Sequence, residues 1–473
     1  MVYIDEFGND HYIDKELGRG GQGVVYSTKD GDIVIKEALK NEEKIKDENE
    51  IKLFHYNIKS IIYKPIPHNI NIAKPITLLK NKAGYVMRML DGLSAMKDFF
   101  PQELSKEKAE QLSKNIPNFL EEVVKKDKRS AIFITHYLNT GSLRDRLHLL
   151  LNTAITLYKL QLRGFVYFDI SNNNIFYKKD KDNIIVYFID IDNLKYNSDI
   201  KLKDSIMTPN FEVPEVANSK EPNSFYSDIY AFAILSFYLL TMKHPFDGKG
   251  LNQTDDWDSE DSSEQKNRWD LSWIEDSNDD SNSANGGLRG ILTISDELNR
   301  LFHKTFEDGK GNKYKRPSLN LWIKALAIST IKTIKCPNCQ MSYYDDKFKN
   351  CPYCNTKKPK RLIIDSYIYK NNQKLQQNSY HFAREIDNNC EIKLSSFLFK
   401  EFDMDMDKFF ARIKFKNNQV EFIFENENNE EIFFNQKKIH RYRKKIGIDR
   451  FKKGIYIIVK DSITRYLDVR IEE

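Results

Sequence analysis

Residues 166–176 read VYFDISNNNIF, with Asp169 and Asn174 five positions apart inside an apolar run. A carboxylate and an amide at that spacing can serve a reacting hydroxyl and a metal ion, or form a polar turn between two buried strands. The stretch alone does not choose between these; its neighbours along the chain do.

Upstream, LGRGGQGVVY (17–26) sets Gly18, Gly20 and Gly23 in a G-x-G-x-x-G pattern with Val25 at the next apolar position. Glycines let backbone approach phosphate oxygens and accept positive φ, but the spacing also fits a dinucleotide fold or an ordinary turn. DIVIKEA (32–38) then puts Lys36 thirteen residues after Gly23, at the end of an apolar strand. A phosphate-pairing lysine there does not belong to a dinucleotide fold; standing alone it would be a strand-edge lysine. Downstream follow FIDID (188–192), VPE (213–215), the apolar SDIYAFAILSFYLL (227–240) and KRPS (315–318).

In this order, residues 10 to 330 resemble the protein-kinase family, in particular a bacterial-type serine/threonine kinase-like catalytic domain. The resemblance implies an α+β, bilobal fold with an N-lobe over 1–90 and a C-lobe over 91–330. It also implies ATP and Mg²⁺ as cofactors and a protein substrate. Asp169 falls on the catalytic aspartate, Asn174 and Asp190 on the magnesium ligands, and Lys36 with the glycine loop on the phosphate cradle. Met87 takes the gatekeeper position, with Arg88, Met89 and Leu90 at the hinge that would hold adenine. Glu215 is available to pair with Arg316, and Asp228 to bond back to the catalytic loop. A helix carboxylate should hold Lys36: Glu50 is the choice because Leu53 and Phe54 follow it on the presumed inward face. Glu48 and Glu43 stay open as alternatives.

Three departures from the family pattern bear on mechanism. Tyr167 and Phe168 replace His-Arg, so the kinase would be of non-RD type and would not need activation-loop phosphorylation. Ser171 stands where many relatives carry a lysine. Ile191 and Asp192 replace Phe-Gly, which adds a carboxylate close to the metal. Ser198, Ser205 and Thr208 are candidate autophosphorylation sites between Asp190 and Glu215. Lys36, Asp169, Asn174 and Asp190 are all present, which favours activity; the alternative is a nucleotide-binding pseudokinase scaffold whose zinc ribbon and β tail recruit partners.

The chain has 473 residues, 40% of them apolar, enough for several cores. Lys plus Arg number 74 against 69 Asp plus Glu, so net charge does not mark a nucleic-acid protein. The N-terminal residues lack a secretory pattern, and the longest apolar run (229–242) is shorter than the ~20 residues a bilayer span needs. A soluble, cytoplasmic protein with no membrane partner is expected. Residues 252–287 are acidic and polar but carry Trp257, Trp269 and Trp273, which suggests a long loop pinned onto the large lobe.

CPNC (336–339) and CPYC (351–354) stand eleven residues apart. Such a pair brings Cys336, Cys339, Cys351 and Cys354 into a tetrahedron around a structural Zn²⁺, forming a zinc ribbon. Cys390 is left over. Lys357, Lys358, Lys360 and Arg361 read as a basic linker, so that ribbon and linker span 331–361; as a nucleic-acid finger this is the less favoured reading. Residues 362–473 alternate as an all-β, sandwich-like domain, weakly resembling the forkhead-associated family. That resemblance puts Arg384 and Asn435 on phosphopeptide-contacting positions, with Asp407, Phe410 and Gln436 departing from its pattern. It implies a phosphoprotein or other protein partner; a degenerate sandwich used for protein contacts, or an unrelated one, is the favoured reading.

Overall fold

The structure, a computed structural model, describes all residues except 22, 181–182, 203–204, 207, 219, 252–267, 285–286, 388, 404–408, 417–418, 426–430, 440–442 and 453. Trp257 and Asp407 therefore lie outside the described residues. The longer helices are α1 (Glu48–Ile62), α2 (Lys128–Asn139), α3 (Ser142–Gln161), α4 (Phe225–Thr241) and α5 (Leu319–Ile331). The chain divides into two compact units, the first formed by Met1–Phe100, Asn152–Leu235 and Asp308–Arg316, the second by the remainder.

In the first unit, strands β1 (Val2–Ile4), β2 (Asp10–Gly20), β3 (Gly23–Thr28), β4 (Ile33–Lys40), β6 (Pro75–Leu78) and β7 (Gly84–Arg88) form a sheet ordered β1-β2-β3-β4-β7-β6, with β5 (Glu43–Lys44) beside β4. Tyr3, Val24, Ile35, Leu79 and Val86 bury one face of it. Helix α1 is capped by Asp47, which accepts from the Glu50 N–H at 2.9 Å. The helix buries Ile58 and Ile61 and stacks Phe54 on Tyr85, their ring centroids 6.4 Å apart. Leu53 is 62% exposed, so the inward phase assumed for it from the sequence is wrong by one position. Short strands β8 (Ser94–Ala95), β9 (Phe165–Val166), β10 (Ile175–Asp180), β11 (Asn183–Phe188) and β12 (Lys195–Tyr196) frame the stretch 166–176, β10 pairing with β11 and β8, and β9 with β12.

Within α4, Tyr230, Phe232, Ala233, Ile234 and Leu235 are fully buried, which fits its uninterrupted apolar sequence. Among the described residues, no helix is long and apolar enough to cross a membrane. In the second unit Trp269 and Trp273 are buried, Trp273 packing edge-on against Phe237 with ring centroids 5.6 Å apart and donating to Glu307 at 3.2 Å. That part of the acidic loop is pinned as expected.

The four-cysteine stretch forms the hairpin β13 (Thr333–Lys335) and β14 (Ser342–Tyr344). The tail folds into a sheet ordered β16-β15-β24-β23-β20-β21 and a second ordered β17-β18-β19-β22. Their strands are β15 (Arg361–Lys370), β16 (Gln373–Glu385), β17 (Glu391–Ser395), β18 (Phe409–Lys416), β19 (Gln419–Phe424), β20 (Glu431–Phe434), β21 (Lys437–Lys438), β22 (Arg443–Gly447), β23 (Ile455–Lys460) and β24 (Thr464–Glu472). Burial alternates strictly along β24, and Phe422 of one sheet meets Phe434 of the other at 5.5 Å between centroids.

The expected basic linker is not a free linker. Arg361 opens β15 and binds Asp345 at 2.8 Å, and Lys358 binds the same carboxylate at 3.0 Å, because a buried aspartate needs the charge.

Candidate active site and metal centre

Strand register brings three side chains into one row: Val25 of β3 lies opposite Lys36 of β4, which lies opposite Tyr85 of β7. Lys36 is buried, and its ammonium meets Asp190 and, at 2.7 Å, Asp192. Burial opposes its charge, but the carboxylates of Asp192 and Asp190 outweigh that and raise its pKa. The Tyr85 hydroxyl donates to the other oxygen of Asp192 at 2.6 Å. Gly18, Gly20 and Gly23 are not among the positive-φ residues, so the hairpin does not use that freedom. A Cβ on Gly23 would stand 3.0 Å from the Glu37 carbonyl and 3.1 Å from Lys36 Cε, so a bare backbone there leaves room for the lysine stem. Gly18 and Gly20 face open space.

Two residues of the site adopt left-handed backbone, Phe168 with φ 75° and Asp190 with φ 56°. Such conformations cost ~1–3 kcal/mol each and persist only when the surroundings enforce them. The carboxylate of Asp228 does so at Phe168, accepting the Tyr167 N–H at 2.8 Å and the Phe168 N–H at 3.0 Å. Burial pushes the Asp228 pKa up to about 7 against those two bonds. The segment before Asp190 is tied to the same loop: the Ile189 N–H donates to the Asn174 carbonyl at 3.0 Å, and the Tyr167 hydroxyl donates to the Ile189 carbonyl.

Asp169 is buried, which raises its pKa, and it accepts the Thr208 hydroxyl. Asn174 donates its amide N–H to the Asp169 carbonyl at 3.0 Å, leaving the amide oxygen as the atom suited to a hard cation. Ser171 is fully buried and its hydroxyl has no partner among the described residues. Glu215 and Arg316 form a bidentate pair, both contacts 2.7 Å, as expected from the sequence.

Residues 97–325 match the family model of the protein kinase domain. No match to the chain is found among curated proteins. The kinase-domain match holds Asp169, Asn174, Asp190, Glu215, Asp228 and Arg316, whereas Gly18, Gly20, Gly23, Val25, Lys36, Glu50, Met87, Arg88 and Met89 precede it. Lys36 nevertheless reaches Asp190 of the kinase-domain stretch.

Glu50 is not brought to Lys36. It pairs instead with Lys40, although it stands on the same helical stripe as Phe54, Ile58 and Ile61. Of the residues expected at a hinge, Met87 is half-buried and Arg88 exposed, and the Met89 N–H is spent on the Asp32 carbonyl at 2.8 Å. The parts of Tyr85 and of Thr208 at Asp169 were not revealed by the sequence, which placed Asp192 close to the metal but not on Lys36. Only strand register sets Tyr85 opposite Lys36.

The second centre is metal-like. Cys336, Cys339, Cys351 and Cys354 bring their sulfurs within 4.8 Å of one another, with 3.5 Å between Cys336 and Cys354 and 3.6 Å between Cys339 and Cys351. Zn–S bonds of ~2.3 Å in a tetrahedron set the sulfurs ~3.8 Å apart, so the cluster fits that ion. Both knuckles turn alike: Gln340 (φ 62°) and Asn355 (φ 57°) each follow the second cysteine and donate an N–H to the carbonyl of the first. Cys336, Cys339 and Cys351 share a core with Tyr137, Met242, Leu288, Met341, Tyr343, Ile363 and Ala383.

Arg384 and Asn435 are not brought together. Strand β16 is separated from β20 by β15, β24 and β23, which puts the two strands about 19 Å apart at ~4.8 Å per step. Asn435 and Gln436 form a two-residue hairpin turn with φ of 45° and 69°, and Asn435 accepts the Tyr456 N–H at 2.9 Å.

Proposed function

We propose that the chain is an ATP- and Mg²⁺-dependent protein kinase that transfers the γ-phosphate to serine or threonine hydroxyls of a protein. The observation that carries this reading is the meeting of Lys36 with Asp190 across 154 residues, beside a loop that presents Asp169 and Asn174. The match over 97–325 supports the same reading. Lys36 and the glycine hairpin would hold phosphates, and Asp190 and Asn174 would hold Mg²⁺ through oxygens. The metal supplies charge neutralisation of the transferring group; the chain's own part is positioning. Asp169 would orient the acceptor hydroxyl, and the Thr208–Asp169 bond is an instance of an aliphatic hydroxyl reaching that carboxylate. Adenine would lie at Met87 to Met89, without the N–H that Met89 has already committed to Asp32.

The non-RD assignment is supported by Phe168, which offers no guanidinium to a phosphate and whose backbone Asp228 already fixes. The ribbon is assigned a structural Zn²⁺ on its four thiolates, since they leave no open ligand position. The sandwich is read as a scaffold, supported by Ile363 and Ala383 of its first hairpin lying in the ribbon's core. A pseudokinase scaffold is the second reading, favoured by the closure of Lys36 on two carboxylates.

Incubation with labelled ATP, Mg²⁺ and generic protein substrates decides between them. Asp169→Asn is expected to abolish transfer while keeping nucleotide binding. Undiminished transfer in that variant removes the role of Asp169, and wild-type binding without transfer favours the scaffold.

A further inference from the structure

Lys36 is met by two carboxylates from a single turn, although one suffices to keep a buried ammonium charged. The two are held differently. Asp190 spends one oxygen on Lys36, whereas Asp192 has both oxygens engaged, one by Lys36 at 2.7 Å and the other by the Tyr85 hydroxyl at 2.6 Å. Tyr85 is itself fixed: it lies opposite Lys36 in the strand ladder, its ring stacks on Phe54, and the ammonium stands 5.9 Å from its centroid. Among the described residues, no carboxylate of α1 meets Lys36.

We propose that Asp192, fixed by Tyr85, is the positioning residue that holds Lys36 for a nucleotide phosphate, which frees Asp190 for the metal ion. This rests on the kinase reading and deepens it. A carboxylate with both oxygens committed cannot turn to a cation without breaking two bonds, and Asp190 can do so by breaking one. The task normally given to a helix carboxylate thus falls to the residue two positions after the metal aspartate, and Tyr85 replaces the helix as its anchor.

The test uses the full chain and its Asp192→Asn, Tyr85→Phe and Glu50→Gln variants. Two readouts apply: calorimetric titration with ATP, with and without Mg²⁺, and acetylation of Lys36 followed by mass spectrometry in the nucleotide-free protein. Asp192→Asn is expected to weaken ATP binding about tenfold, and Tyr85→Phe a few-fold, with Lys36 acetylated faster in both. Glu50→Gln should lose less than either. Tyr85→Phe removes a single oxygen, so the test stands even if Asp192→Asn fails to fold. If the wild-type chain binds ATP and both variants match it in affinity and labelling, the proposal alone is overturned. Equal or larger loss in Glu50→Gln overturns it as well. A wild-type chain that binds no ATP overturns the kinase reading and the proposal together.

Discussion

His381 shows how much one buried side chain can weigh on pH dependence. Its ring contacts Asp365 at 2.6 Å and Asp345 at 3.0 Å, and those carboxylates also take Lys358, Arg361 and Arg470. Burial disfavours the imidazolium, yet the hydrogen bonds to Asp345 and Asp365 lift its pKa to about 9. A raised value means that the stabilisation is complete below about pH 6.5 and is lost as pH climbs through about 9, an effect of at most about 3 kcal/mol. The same contact seen from Asp345, whose pKa falls to about 2 despite burial, is lost only in strong acid. Urea denaturation of the wild type should therefore show lower stability at pH 9.5 than at pH 6.5. His381→Gln should flatten that difference; an unchanged slope would contradict the assignment. At this scale the Glu215–Arg316 pair was readable from short motifs. The sequence was unreadable where the partner comes from a distant strand, as with Tyr85, which register alone sets opposite Lys36.

Among the elements, the four-cysteine ribbon is the one whose stability, under the zinc reading proposed above, depends most on something other than its own side chains. Its two hairpin strands span three residues each, and its cysteines supply much of what it buries. Zinc binding in such ribbons amounts to ~10–16 kcal/mol of folding free energy. Metal analysis is expected to give one zinc per chain, and a strong chelator to lower the melting temperature; less than about half an equivalent would sink the site. The C-x-x-C spacing made this element legible from the sequence alone. Helix α1 was half legible: its existence followed from composition, but its phase did not, since Leu53 and Phe54 are equally apolar and only the Phe54–Tyr85 stack separates them. The sandwich strands were visible by alternation, whereas their order was not. That order is what parts Arg384 from Asn435.

For the whole molecule, the striplike reading of lobe, lobe, ribbon and tail understates how the core of the second unit is assembled. Tyr137 and Leu138, Met242, Leu288, the ribbon and the β15–β16 hairpin meet in one apolar cluster, although they come from chain segments far apart in sequence. A chain truncated after residue 330 would leave Tyr137, Met242 and Leu288 facing water, at about 2 kcal/mol each. It should aggregate or melt well below the full chain in scanning calorimetry, and a soluble fragment of unchanged melting temperature would refute this.

The six-stranded sheet carries a further consequence, for synthesis. Strand β24, which follows the other strands of the sheet in chain order, lies between β15 and β23 in the middle of that sheet, not at its edge. At roughly 5–20 residues per second, β15 emerges about 5–20 s before its central neighbour exists. Throughout that interval its ladder edge is open, so nascent chains crowded on one message are exposed to mispairing until β24 has been made.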